Sequence, residues 1–385
     1  MFSNRFRWNL QPNRFSLLLE EKRRSGHHLF DLTESNPTRV QLRYPKEEIM
    51  AALSASGFDY EPTASGLASA RSAICRYYLD HDIEVSPDQL LLTTSTSEGY
   101  SYLFKLLADA GDEVLVPSPS YPLLDFLSAF EGVNLGMYRL EYDHSTGWNL
   151  DQSSLEKAIT SRTRAIVAVN PNNPTGSFLK ADEKACLVRI CKSNDLALIV
   201  DEVFLDYGPS DSVSFAKEKG CLTFVMSGLS KVCGLPQMKL GWIVTTQSEG
   251  HSREAREKLE LIADTYLSAS TPIQNAAPRW LETRDLVQRQ IQRRVDSNRE
   301  TLAAMLSDSA CRLLKSEGGW YAVIEVPRNL PEEELTLALL DEDDVVVHPG
   351  YFFDFAREVF LVLSLLPSTD TFGEGVTRIL KRFPS

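Results

Sequence analysis

Long apolar runs are missing from this chain. Nowhere in its 385 residues does a hydrophobic stretch approach the roughly 20 residues that a bilayer demands, so no membrane partner is expected. Positive charge is also short: 40 Lys and Arg against 53 Asp and Glu leave a formal net charge of -13. A phosphate backbone needs a basic face, which argues against nucleic acid. Cysteine is sparse and follows no metal spacing. Of the six, Cys186 and Cys191 sit in a helical stretch without a histidine beside them. Reduced thiols in a cytoplasmic protein are expected, with no bound metal. Near the N-terminus a short apolar run is broken by Glu20, Glu21, Lys22 and Arg23, so no signal peptide is expected. No G-x-G-x-x-G follows an apolar run, which removes the main signature of a nicotinamide dehydrogenase. There is no internal repeat and no low-complexity segment.

What is present is an alternating pattern. Short apolar runs occur at Leu90–Leu92, Glu113–Val116, Ala165–Val169, Leu196–Val200 and Thr223–Met226. Between most of them lie stretches with helical periodicity, such as Gly99–Leu107 and Ala181–Lys192. Buried strands alternating with helices predict an α/β fold with a mostly parallel sheet. The tail mixes strands (Tyr321–Val326, Val345–Val347, Val359–Leu363) with helices and predicts a smaller α+β unit. At this length two domains are expected. The boundaries expected are an arm at 1–45 that joins the small domain, a large domain at 46–270 and a small C-terminal domain at 271–385.

Ligands of an open parallel sheet bind at the carboxyl ends of its strands, so the residues after each apolar run matter most. After the first comes Thr93-Thr94-Ser95-Thr96-Ser97-Glu98-Gly99, hydroxyls and free N–H groups opening a helix, which suit a phosphate. Taken alone, this is ordinary helix capping. After the second comes Pro117-Ser118-Pro119-Ser120-Tyr121, which offers an aromatic ring. After the third comes Asn170-Pro171-Asn172-Asn173-Pro174-Thr175-Gly176, a rigid bend that steadies the Asn173 amide. After the fourth comes Asp201-Glu202. A carboxylate closing an apolar strand is costly without a partner, and a protonated heterocyclic nitrogen would supply one. After the fifth comes Ser227-Gly228-Leu229-Ser230-Lys231, with Lys239 beyond it. A desolvated lysine near other cations loses its proton more readily and condenses with aldehydes. Phosphate cradle, aromatic face, amide, carboxylate and amine together match pyridoxal 5′-phosphate.

The same residues carry a resemblance. The Asn173-Pro174-Thr175-Gly176 box, the strand-end Asp201 and the Ser230-Lys231-x-x-Gly234-Leu235-Pro236-x-x-Lys239-x-Gly241 box resemble those of class I/II aminotransferases, fold-type-I pyridoxal phosphate enzymes. The resemblance covers nearly the whole chain. It implies Lys231 as the Schiff-base lysine and proton shuttle, Asp201 as partner of the ring nitrogen and Asn173 as donor to the phenolic oxygen. It further implies Tyr121 as ring stacker, Thr96 and Ser97 as the phosphate turn with Ser230 beside it, and Lys239 as the phosphate-binding cation. Tyr60 resembles the tyrosine that reaches the phosphate from a neighbouring subunit, which implies a homodimer. Asn36-Pro37 resembles the segment over the substrate, and Gly318-Gly319-Trp320-Tyr321 the first strand of the small domain.

Three departures bear on function. Phe204 stands where many members have a tyrosine donor. Gly228 replaces a phosphate-contacting serine, with Ser227 and Ser230 as possible substitutes. Val362 occupies the place of the arginine that clamps the substrate α-carboxylate. Arg39 is the first candidate replacement and Arg357 the second. The function expected is transfer of an amino group from an amino acid or amine donor to a 2-oxo acid or other carbonyl acceptor. Given Val362, a decarboxylase or C–S lyase on the same scaffold is the alternative. A cofactor-sensing regulator is disfavoured, because no basic helix-turn-helix-like stretch precedes residue 30.

Overall fold

A computed structural model describes every residue except 1, 7, 56, 58, 210, 211, 213, 247–249, 358 and 385. Its centre is an eight-stranded sheet. In spatial order the strands are Leu90–Thr93, Gly241–Thr245, Thr223–Gly228, Ala197–Asp201, Thr163–Val169, Glu113–Ser118, Asn134–Asp143 and Gly147–Leu150. The strands from Thr223–Gly228 to Asn134–Asp143 pair in parallel. The strand Gly241–Thr245 runs antiparallel to both its neighbours. All five expected strands are present, each extended by a residue or more at one end or both, or shifted by one.

These strands form because both of their faces are buried. Along Ala197–Asp201, Leu198 and Val200 enter one apolar cluster while Ala197 and Ile199 enter the other. A strand covered on both sides reads as a continuous apolar run, which is why it was visible in the sequence. The helices Thr96–Leu107 and Ser252–Tyr266 cover one face. The helices Ala68–Leu79 and Thr271–Glu282 cover the other.

A second cluster surrounds a four-stranded antiparallel sheet of Arg312–Leu313, Tyr321–Glu325, Phe360–Ser364 and His348–Pro349. The long helix Asp285–Leu306 packs here through Val287, Ile291, Val295 and Leu302. The N-terminal strand Phe30–Asp31 pairs in parallel with Val345–Val346 in a separate two-stranded sheet, so the arm is stitched to the C-terminal part of the chain. No helix of the described residues is long and apolar enough to cross a membrane.

Gly241 decides how closely two segments approach. A Cβ on Gly241 would lie 2.9 Å from the Ser95 carbonyl carbon and 3.1 Å from the Thr96 nitrogen. Its absence lets the last strand run hard against the turn that opens the helix Thr96–Leu107. Gly241→Ala must therefore displace backbone, at a cost of about 1–3 kcal/mol. Urea denaturation of the variant checks this, and a midpoint equal to that of the parent would refute the close-approach argument.

Candidate active site

The five loops converge on one chamber of about 390 Å³. Thr96, Ser97, Ser120, Tyr121, Asn173, Asp201, Ser230, Lys231 and Lys239 all line it. A larger cavity lies at the opposite, amino-terminal edge of the sheet, beside Leu196 and Leu222, and holds none of these groups. The chemistry assigns the smaller chamber.

Thr96 and Ser97 begin a 12-residue helix capped by Ser95, whose Oγ accepts from the Glu98 N–H at 3.2 Å. Glu98 returns a carboxylate to the Thr94 N–H at 2.6 Å. That reciprocal cap leaves the N–H groups of the first turn directed into the chamber. Lys239, in left-handed conformation at φ 51°, also lines the chamber. Gly228 is forced by packing: a Cβ there would lie 2.9 Å from the Leu240 carbonyl oxygen. Of the two nearby serines, Ser230 lines the chamber, while Ser227 is buried with its Oγ unpaired.

Asp201 ends its strand fully enclosed. Its Oδ2 accepts from the Tyr100 hydroxyl at 3.1 Å and its Oδ1 from the Val203 N–H at 3.1 Å. Burial pushes its pKa up to about 6, against the pull of these two donors and of Lys231. Lys231 feels the mirror effect. Burial lowers its amine to about 8, opposed by attraction to Asp201. At pH 7.5 roughly a quarter of such amines are neutral, against about one in a thousand for an ordinary lysine. The Nζ sits 4.7 Å from the Trp320 ring centre and 5.3 Å from that of Phe204. Phe204 is buried edge-on to Trp320, so it presents an apolar ring and no hydroxyl to the chamber.

Asn173 lines the chamber with a buried Oδ1 that has no partner, and the Ser120 Oγ is likewise unpaired. Buried polar groups left so are costly unless a ligand completes them. A phosphate cradle with a cation, an enclosed carboxylate, a depressed lysine and unpaired polar groups fit pyridoxal 5′-phosphate.

A second chamber of about 450 Å³ shares Ser35, Lys231 and Pro236 with the first and opens outward past Asn36 and Pro37. Asn36 Oδ1 is occupied by the Thr38 N–H and hydroxyl, at 3.0 and 2.8 Å. Arg39 lines neither chamber; its guanidinium lies 3.9 Å from Glu34. The arginine that does line the outer chamber is Arg23, paired with Asp31 at 3.2 Å. Arg357 is held by Glu325 at 2.9 Å. Val362 is fully buried in an apolar cluster with Trp148, Val323, Phe353 and Phe360. Tyr60 is 65 % exposed and outside both chambers.

The family model for aminotransferases of class I and II matches residues 27–379. The chain belongs to that family. It is 28% identical over 380 residues to an alanine aminotransferase of Mycobacterium bovis, covering 92% of this chain and 85% of that protein. It is 30% identical over 270 residues to the glutamate-pyruvate aminotransferase AlaA of Escherichia coli, covering 68% and 65%. The solved alanine aminotransferase of Pyrococcus furiosus superposes with a TM-score of 0.90 at 25% identity, over 99% of both chains. The protein is an aminotransferase, and these relatives give no support to the decarboxylase or lyase alternative.

Sequence reasoning missed Tyr100, Tyr321, Ser35 and Arg23. Tyr100 was within reach: it lies four residues past Thr96, on the same helix face. The others come from the arm and the small sheet and meet the site only through tertiary packing.

The raised Asp201 pKa sets a pH dependence. Only the carboxylate can pair with a protonated ring nitrogen, so the cofactor should bind more weakly as pH falls below about 6. Cofactor titration of the apoprotein at several pH values measures this. In Asp201→Asn that component of the pH dependence should vanish, leaving those of the Lys231 amine and of the cofactor's own groups.

Proposed function

We propose that the chain is a pyridoxal 5′-phosphate-dependent transaminase, a homodimer of the cytoplasm, using an α-amino acid donor and a 2-oxo acid acceptor. The observation that carries the cofactor assignment is the buried Asp201 and the half-buried Lys231 beyond the ends of adjacent parallel strands, both shifted toward neutrality. When bound, the cofactor supplies an aldehyde that captures amines and a protonated ring that withdraws electrons from the carbon bearing the nitrogen. The chain's residues do the rest. Lys231 would hold the cofactor through its amine and would move the substrate proton. Asp201 would pair with the ring nitrogen, and the Tyr100 hydroxyl favours its ionised form. Asn173 would offer its side-chain NH2 to the phenolic oxygen and Tyr121 its ring to the cofactor's face. Thr96, Ser97, Ser230 and Lys239 would hold the phosphate.

Tyr60 completes the phosphate site of a second copy in this proposal. Its exposure outside its own chamber supports that role, as do the exposed apolar side chains Tyr266 and Leu267. The six cysteines are all free thiols, which suits a reducing compartment. The arm, large and small domains are proposed as expected, with the junction moved to the turn near 283–284. Ala276, Ala277, Trp280 and Leu281 pack with the large sheet, and Val287 onward with the small one.

For the donor carboxylate we assign Arg23 in place of Arg39, because it is the guanidinium that lines the outer chamber beside Lys231. Names borne by the relatives suggest alanine or glutamate as donor and pyruvate as acceptor.

Two variants test these assignments. Lys231→Ala should lose the visible absorption band of the bound cofactor, and an unaltered band would sink the central assignment. Arg23→Ala should raise KM for the amino acid by roughly two- to fivefold, the value of an exposed ion pair, with kcat little changed. An unchanged KM would remove Arg23 from the site.

A further inference from the structure

Lys231 sits on a helix of only four residues, Leu229–Val232. So short a helix cannot satisfy its own carbonyls or hold its own geometry. Its backbone is gripped from behind by side chains of three other segments. Tyr207 donates its hydroxyl to the Lys231 carbonyl at 2.8 Å. Gln288 donates from Nε2 to the Val232 carbonyl at 2.8 Å. Tyr44 donates its hydroxyl to the Gly234 carbonyl at 2.8 Å. None of these side chains touches the chamber that holds the Lys231 amine.

The grip is organised by one carboxylate. Asp206 has a 5% exposed side chain. Its Oδ2 accepts the second Nε2 hydrogen of Gln288 at 2.8 Å. Its Oδ1 accepts from the Tyr77 hydroxyl at 3.2 Å and from His81 Nε2 at 2.9 Å. His81 Nδ1 faces the Tyr77 carbonyl oxygen at 2.8 Å. Both ring nitrogens therefore point at acceptors, an arrangement satisfied in full only when both carry protons. Among the described residues, the other charged or titratable groups facing this cluster are Arg284, which stacks over Tyr77 and pairs with Asp80 at 2.7 Å, the buried thiol of Cys233, the Tyr78 phenol packed edge-on to Tyr77, and the buried Glu202 carboxyl. Asp206 thus reaches the lysine loop through Gln288 and is balanced by the His81 imidazolium.

We infer that Asp206, Gln288 and His81 are positioning residues for Lys231: the His81–Asp206 ion pair fixes Gln288, which with Tyr207 holds the lysine's one-turn helix in place and sets how readily its amine gives up a proton. This rests on Lys231 being the cofactor-bearing lysine. Removing the imidazolium takes away the partner that orients Asp206, so Gln288 is held less firmly on the Val232 carbonyl and the lysine's helix can shift. Removing the Gln288 amide frees the Val232 carbonyl and lets the helix shift. His81 itself is held protonated chiefly by its bond to Asp206, which raises its pKa above the usual 6.5. A raised folded pKa means that its stabilising share is fully present below about 6.5 and is lost as pH rises through the higher folded value.

The test compares the cofactor-loaded parent with His81→Gln and Gln288→Met. In each, the visible absorption band of the bound cofactor is titrated with pH, and thermal unfolding is recorded alongside. The inference expects the band midpoint in His81→Gln to be displaced from the parent's by roughly half a unit or more. In Gln288→Met it expects a displaced midpoint and a lower kcat at unaltered KM. His81 is about a third exposed, so its variant keeps the test alive if Gln288→Met fails to fold. Midpoints equal to the parent's with lowered unfolding temperatures would overturn the inference and leave the cluster a packing device. Loss of the band in Lys231→Ala, measured in parallel, separates that failure from any failure of the lysine assignment.

Discussion

A carboxylate and an amine held out of water at the ends of neighbouring strands govern this structure. Asp201 and Lys231 lie beyond the paired strands Ala197–Asp201 and Thr223–Gly228. Burial disfavours both charges, raising the acid to about 6 and lowering the amine to about 8. Their mutual attraction restores only part of the loss, so each stays close to the pH at which it changes state. A pair so placed cannot be a stability device, because desolvating two charges offsets most of what their attraction returns. It persists because surrounding elements over-determine it. Tyr100 and the Val203 N–H hold the acid, and Phe204 and Trp320 wall in the amine.

That wall joins the two sheets. The Asn170–Gly176 bend docks on the start of the small sheet, where the Glu317 and Gly318 N–H groups donate to the Gly176 carbonyl at 3.0 and 2.9 Å. Gly176 has φ +66°, and a Cβ there would lie 2.3 Å from the Gly318 oxygen. The same junction carries Trp320, whose ring packs on Tyr207 and Phe204 at 4.9 and 5.3 Å. The arm adds a third layer, because pairing Phe30–Asp31 with Val345–Val346 sets Ser35 and Asn36 over the mouth. One residue each from the arm, the large sheet and the small sheet, Ser35, Lys231 and Tyr321, therefore line a single chamber.

How much of this the sequence disclosed follows from the same physics. Strands buried on two faces must be apolar throughout, so Leu198–Val200 and Phe224–Met226 could be read directly. Asn134–Asp143 was not found, because most of its residues are only partly buried or exposed and its pattern is mixed. Gly241–Thr245 lies within the lysine box and returns antiparallel, which no local signal marks. The strand-end groups Asn173, Asp201 and Lys231 were legible because topology puts them at one edge. Arg39 was chosen by its distance along the chain from Asn36, yet a turn at Asn36–Thr38 carries it to the surface, while Arg23 arrives on the preceding helix. Nothing local in residues 14–24 separates Arg23 from its charged neighbours; only the paired strand that follows fixes where it lands.

Val362 gives that exchange a physical basis. It lies between Val323 and His348 in the small sheet, sealed beneath Trp148, Phe353 and Phe360. A guanidinium at this position would lose its hydration against aromatic rings with no carboxylate among them, a cost of several kcal/mol without a bound anion. The apolar cluster instead ties the small sheet to the aromatic loop of the large one, since the Ser120 N–H donates to the Phe353 carbonyl at 2.9 Å. On the proposed assignment, anion recognition falls outward to Arg23, an exposed arginine whose charge is already screened by Asp31. An outer clamp of this kind contributes less binding energy than an enclosed one. Selectivity for the donor then rests more heavily on the shape of the inner chamber than on capture of its carboxylate.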